Sequence, residues 1–174
     1  MSYNVQLSFK TDAEENSILQ NWWSELKDRR ADRAGLRRCK STLEVVLQPG
    51  FVDLLRRIEE QKAAYIAGDW QVQRLALIAG VLSGIEQEAT ASAAYIMAMP
   101  RSGGDASRVS QLRFRRLLVI QDPEELLIAW KRMLRLMDNQ ANIPDLAHRL
   151  YWWNDRIRRE MALEYYRNAP AAAA

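Results

Sequence analysis

The stretch Leu75 to Ile85, LALIAGVLSGI, limits the possible folds more than any other part of the chain. It carries no charge, so a helix made of it has no polar face for water and must be surrounded by other elements. At about 1.5 Å per residue it is too short to cross a hydrocarbon layer of about 30 Å. The run is therefore expected to be the central, buried helix of a bundle. Gly80 and Gly84 lie within it, each at a helix-propensity cost of about 1 kcal/mol. Close approach of a neighbouring helix is the expected compensation.

Other segments have the one-sided pattern that such a centre needs. Asp122-Pro123-Glu124-Glu125 supplies a cap, a proline in the first turn and acids at the positive end of the dipole. Behind it Leu126, Leu127, Trp130, Met133, Leu134 and Met137 share a face. Ile18, Trp22 and Leu26, widened by Leu19 and Trp23, form another stripe, in a helix expected to open at Thr11 with Glu14 as capping-box partner. Ser41 with Glu44 is a second capping box, opening a short helix that stops at Pro49-Gly50. Phe51, Leu54, Leu55 and Ile58 point inward in the next helix, and Asp69 is the expected cap of the one carrying residues 75–85. Residues 94–99 suit a short helix, and residues 107–120 a less cleanly amphipathic one. From Asn142 or Pro144 to Tyr166 the spacing predicts one last helix, with Leu146, Leu150, Trp153, Ile157, Met161 and Tyr165 on its buried stripe.

These segments predict an all-α fold: a helical bundle of seven to nine helices, in two packed sub-bundles of about residues 12–99 and 107–168. The loop PRSGGDA at 100–106 is the border between them. Residues 1–11 are expected to form an extended arm, and residues 169–174 a frayed tail.

Catalytic constellations are missing from the sequence. With a single histidine, His148, and a single cysteine, Cys39, the chain cannot assemble a zinc site. Asp145 and His148 have the spacing of half a di-metal motif, and the other half is absent. Gly103-Gly104 is not followed by the Lys-Ser/Thr of a phosphate loop. Glu160 and Glu164 have arginines at helical spacing to pair with. Cys39, flanked by Arg38 and Lys40, is a candidate for a lowered thiol pKa. A chain with one cysteine forms no internal disulfide, which fits a reducing compartment. No apolar core of a signal peptide occurs in residues 1–10, so a cytoplasmic protein without a membrane partner is expected. No enzyme and no cofactor are expected.

What the sequence does offer is arginine. Its net charge is +3 and its pI about 9.2, and most of its 25 basic residues are Arg. Guanidinium groups bind phosphate by two parallel hydrogen bonds and stack on bases. The densest run is 28–40, where Arg30, Arg33 and Arg37 share a helical face and Arg38 follows. Further along lie Arg108, then Arg113 and Arg116 among apolar positions, then Lys131 and Arg132 opposite the stripe of 126–137. In the last helix Arg149, Trp152, Arg156 and Arg159 lie beside the core stripe. Gathered on one surface, these groups make a sequence-independent track for a phosphate backbone. Two other readings remain open on the residues alone. One is a helical scaffold or adaptor whose arginines bind acidic protein partners, and the other is a free-standing DNA-binding helical protein.

Three segments carry a resemblance. Arg33-Ala34-Gly35-Leu36-Arg37-Arg38, Arg113-Phe114-Arg115-Arg116-Leu117-Leu118, and Leu150-Tyr151-Trp152-Trp153 with Arg156, Arg158 and Arg159 occur in this order. Over roughly residues 12 to 167 the chain resembles the CasB family, the small subunit of the type I-E CRISPR surveillance complex Cascade. The resemblance implies a helical, non-catalytic subunit that sits beside a second copy of itself and touches the Cascade backbone subunits and the large subunit. It further implies that a basic surface supports the target DNA paired with CRISPR RNA and holds the displaced strand of the R-loop. The basic positions matching the family are Arg33, Arg37, Arg38, Arg113, Arg116, Lys131, Arg132 and Arg156.

Overall fold

The computed structural model describes residues 6–171. Residues 1–5 of the expected arm and 172–174 of the expected tail lie outside them. The described residues form ten helices and one very short parallel sheet. In chain order these are α1 (Glu15–Leu26), α2 (Arg30–Arg38), α3 (Thr42–Val46), α4 (Pro49–Lys62), α5 (Asp69–Leu82), β1 (Gln87–Glu88), α6 (Ala93–Ala98), α7 (Gln111–Leu118), α8 (Pro123–Leu136), β2 (Gln140–Ala141), α9 (Ile143–Tyr151) and α10 (Asp155–Asn168).

The all-α architecture is as expected, and α5 is its centre. Every residue from Leu75 to Leu82 is buried, and α5 packs against α3, α8 and α9. Gly80 explains the close approach: a Cβ there would stand 2.8 Å from Leu127 Cδ1 and 3.1 Å from Val45 Cγ2. Outside this centre α1 packs on α4 and α9, and α6 on α10. Buried apolar side chains from α1 through α10 form one contiguous cluster. The stripe of α8 is buried throughout, from Leu126 to Met137.

Local chemistry sets most of the helix ends. Ser41, Ser92, Ser110, Asp122, Asn142 and Asn154 each accept a backbone N–H from the first turn of the helix that follows. Glu44 accepts the N–H of Lys40 at 2.7 Å, one residue before the cap, so the expected capping box forms on its Ser41 side and its return bond is displaced by one residue.

Four boundaries differ from expectation, one being α7, which starts at Gln111 behind the Ser110 cap rather than at 107. The first helix does not open at Thr11. Glu15 turns back to accept the N–H groups of Ser8 and Phe9 at 2.7 and 3.0 Å, and α1 begins there. Asp69 is the first residue of α5, and Gly68 holds the cap position. The last segment is two helices. Residues 152–154 break it, and Asn154 starts α10 by accepting from Ile157 N. The stripe of 146–165 stays buried across the break, which is why its periodicity reads as continuous. This break raises the helix count above the expected range. The sheet is a further departure: Gln87 pairs with Gln140 and Glu88 with Ala141, too few residues to show alternation.

Candidate nucleic-acid interface

The most basic segment folds as α2, a helix with one buried residue, Leu36. So small an apolar face gives little anchorage, and two cations supply the rest. Arg33 donates from Nε to the Ser83 carbonyl at 3.1 Å and from Nη2 to the Ile85 carbonyl at 2.9 Å. These groups lie where α5 ends, so Arg33 ties α2 to that end. Lys131 of α8 reaches the other end of α2, donating to the carbonyls of Leu36, Arg37 and Cys39 at 3.0, 3.2 and 2.7 Å. Burial lowers the pKa of both groups. Arg37 adds to the effect at Arg33, and Arg135 and Arg37 add to it at Lys131. Both cations are among the basic positions that the resemblance singles out, yet their donors are engaged within the chain.

Three more of the expected contact residues also have partners. Arg149 has a side chain only 11% exposed and bridges Asp145 at 2.8 Å to Glu164 at 2.9 Å. Arg108 donates to Asp138 at 3.4 Å and to the Met99 carbonyl at 3.3 Å. Asp138 also takes Arg101, so both arginines flanking the 100–106 loop converge on one carboxylate. Arg156 pairs with Glu160 at 2.9 Å, on an exposed surface where the pair is weak.

The remaining candidates differ in kind. Arg30 and Arg38 on α2, Arg113 and Arg116 on α7, Arg132 on α8 and Arg159 on α10 are all exposed. Among the described residues none of these guanidinium groups has a hydrogen bond or ion pair. Arg37 is half exposed, with only Glu86 near it, at 4.0 Å. Arg135, outside the expected set, is exposed and lines one cleft with Arg37 and Lys131. The signal for it was its position four residues after Lys131 on a helix face.

Two sequence expectations are corrected. Trp152 does not stand open beside the arginines. Its indole N–H donates to the Ser8 carbonyl at 2.9 Å, the same oxygen that His148 Nδ1 meets at 2.9 Å, and its ring packs on Trp70 and Tyr151. Cys39 does not have a lowered pKa. Burial pushes its thiol up, against the milder pull of Lys131 and Arg38, and its Sγ faces the Gly35 carbonyl at 3.2 Å. Among the described residues no group of His, Cys, Asp and Glu is arranged to hold a metal ion.

The model of the family described as CRISPR-associated protein Cse2 matches residues 32–166. The chain belongs to the Cse2 family. Cse2 proteins, also called CasB, are small subunits of the type I-E Cascade complex, and the chain is accordingly a subunit of a CRISPR complex. No curated protein and no solved structure matches it. The Cse2 match runs from α2 into α10 and takes in every candidate arginine except Arg30. No helix among the described residues is long and apolar enough to cross a membrane.

Proposed function

We propose that the chain is a non-catalytic nucleic-acid-binding subunit of Cascade. In this role it supports the guide RNA–target DNA duplex and the displaced strand of the R-loop through exposed arginines. The observation that carries this reading is the division of the basic residues. Arg33, Arg108, Lys131 and Arg149 stabilise the fold, whereas Arg30, Arg38, Arg113, Arg116, Arg132 and Arg159 are exposed without a carboxylate. Exposed guanidinium groups without a carboxylate keep their donors available to an external polyanion. A phosphate backbone engages them without base-specific contacts. R-loop formation is close to balanced, so a few backbone contacts shift it usefully. The proposed partners are CRISPR RNA, target DNA, a second copy of the chain, and the backbone and large subunits.

The test is DNA binding by the assembled complex as a function of salt. Arg38→Ala with Arg116→Ala should weaken binding and flatten the log–log salt slope, by about 0.9 per lost contact on duplex or 0.7 on single strands. An unchanged slope would remove the nucleic-acid role.

The scaffold reading also has an observation in its favour. Leu43 on α3, Leu47 just after it and Val119 after α7 are 68%, 71% and 72% exposed, and side chains of this kind suit a protein partner. Ultraviolet cross-linking separates the readings, because a pure adaptor gives no nucleic-acid adducts at α2, α7 or α8.

A further inference from the structure

A small cleft opens between α2, the end of α5 and α8. It is lined by Arg37, Lys131 and Arg135, with Ser83 and Asn139 completing its polar wall. The three cations play different parts. Lys131 directs all three of its protons at backbone carbonyls, so its ammonium is fixed and contributes charge without free donors. Arg135 has no hydrogen bond or ion pair among the described residues, and Arg37 has only the distant Glu86. Two guanidinium forks therefore reach the cleft from different helices with donors to spare.

The fourth wall is unusually well fixed. Asp138 and Asn139 both adopt positive φ, 58° and 53°, a conformation that Asp and Asn tolerate better than most residues. Asn139 N donates to the Leu134 carbonyl at 2.8 Å, and its own carbonyl accepts Glu86 N at 2.8 Å. This backbone fixes the position of Asn139 at the cleft. Ser83 is buried, and its hydroxyl is turned to the Gly80 carbonyl at 2.8 Å, so it offers no further donor.

We propose that this cleft is a socket for a single phosphodiester group of a nucleic acid, gripped by Arg37 and Arg135 from opposite walls and drawn in by Lys131 behind them. The proposal rests on the nucleic-acid reading above and gives it a fixed point. The cleft's volume of about 30 Å³ is roughly twice what one water needs, so the pair of non-bridging oxygens enters and the nucleoside stays outside. A carboxylate and a phosphodiester both offer two oxygens to a guanidinium fork, so the preference for phosphate comes from the cations beside the cleft. The site also has neighbours for a chain of phosphates: exposed Arg38 follows Arg37 on α2, and exposed Arg132 lies one turn before Arg135 on α8.

The experiment uses the assembled complex carrying Arg37→Gln with Arg135→Gln, both surface changes, with helicity of the purified chain checked by circular dichroism. Incorporation of the subunit and the salt dependence of target-DNA binding are both read. Normal incorporation is expected, with a slope lowered by about 0.7–0.9, one phosphate's worth. Arg37→Lys with Arg135→Lys should keep the slope and still weaken binding several-fold, because ammonium groups lack the fork. A normal slope in the Gln pair, while Arg113→Gln with Arg116→Gln lowers it, overturns the socket and leaves the wider reading standing. Unchanged slopes in both pairs overturn the wider reading too. Loss of incorporation with an unchanged slope per assembled complex assigns the cleft to a protein carboxylate and overturns the socket.

Discussion

Lys131 of α8 donates to the Cys39 carbonyl at 2.7 Å across 92 positions of sequence. With the Leu36 and Arg37 carbonyls it gives the end of α2 the donors that a helix end lacks. Lys131→Met keeps the length and the apolar stem and removes all three donors. A loss of about 2–3 kcal/mol is expected, the scale of charged hydrogen bonds in a partly buried site. For a chain of this size that lowers Tm by roughly 4–10 °C, measurable by calorimetry.

Cys39 sits directly beneath this contact, buried, with its thiol pKa raised. The thiolate is the reactive form, so neighbouring cations do not make this cysteine reactive. Ellman's reagent near neutral pH should modify it slowly, at the rate of local opening, and quickly after denaturation. Lys131→Met should speed the native reaction by loosening the end of α2. Fast stoichiometric labelling of the folded wild type would contradict the burial.

Glu15 predicts an acid-sensitive contact of residues 8 and 9. Burial opposes its ionisation, but the N–H groups of Ser8, Phe9 and Glu15 itself, with the Lys62 ammonium, outweigh burial and bring its pKa below the ordinary 4.5. A carboxylate with a lower pKa folded than unfolded stabilises fully above the unfolded value. That stability is lost as pH falls through the folded value. Glu15→Gln should therefore cost about 1–3 kcal/mol at neutral pH and little in strong acid. Urea unfolding at a series of pH values should show the two curves converging below about pH 4.

Gly80→Ala tests the close approach of α5 to its neighbours. Alanine gains about 1 kcal/mol of helix propensity. Against this, its Cβ would press on Leu127 Cδ1 at 2.8 Å and Val45 Cγ2 at 3.1 Å, in a region with no exposed surface to yield into. Overpacking of this kind costs about 1–3 kcal/mol. The net expectation is a Tm lower by a few degrees, and a rise in Tm would show that α8 can shift.

Elements whose determinants are local were legible in the sequence. The buried run of α5, the Asp122-Pro123 start and stripe of α8, and the Ser41 cap of α3 all depend on residues within a turn or two of one another. The break before α10 was missed because Asn154 lies within a stripe that remains buried on both sides. The β1–β2 pair was missed because two residues carry no period. At the interface, sequence located the basic segments but not the state of each cation. Arg33 finds its acceptors 50 and 52 positions away, and Lys131 finds its own 92 to 95 away. A helical wheel registers a cation on a face and cannot register an acceptor brought up by folding. Arg135 was legible as a cation on the outer side of α8 beside Lys131 and Arg132, but its significance comes from Arg37 on the far wall of the cleft.

The division of the arginines into structural and open groups makes a last prediction, with opposite outcomes at two positions. Arg149 is almost enclosed and joins Asp145 on α9 to Glu164 on α10. Arg149→Ala leaves both carboxylates without their cation in a partly buried setting, where removing one partner is more costly than the net contribution of the pair. Asp145 retains the Ala93 N–H and Glu164 the Ser92 hydroxyl, so the loss is limited to about 1–3 kcal/mol. DNA affinity of the assembled complex, measured well below the variant's Tm, should stay within about twofold. Arg132→Ala should do the reverse: stability within about 0.5 kcal/mol, as for an exposed surface change, and a lower salt slope. Calorimetry and salt-dependent DNA binding on the two variants complete the comparison. A drop in slope for Arg149→Ala with none for Arg132→Ala would mean that the enclosed arginine, and not the open one, meets the phosphates.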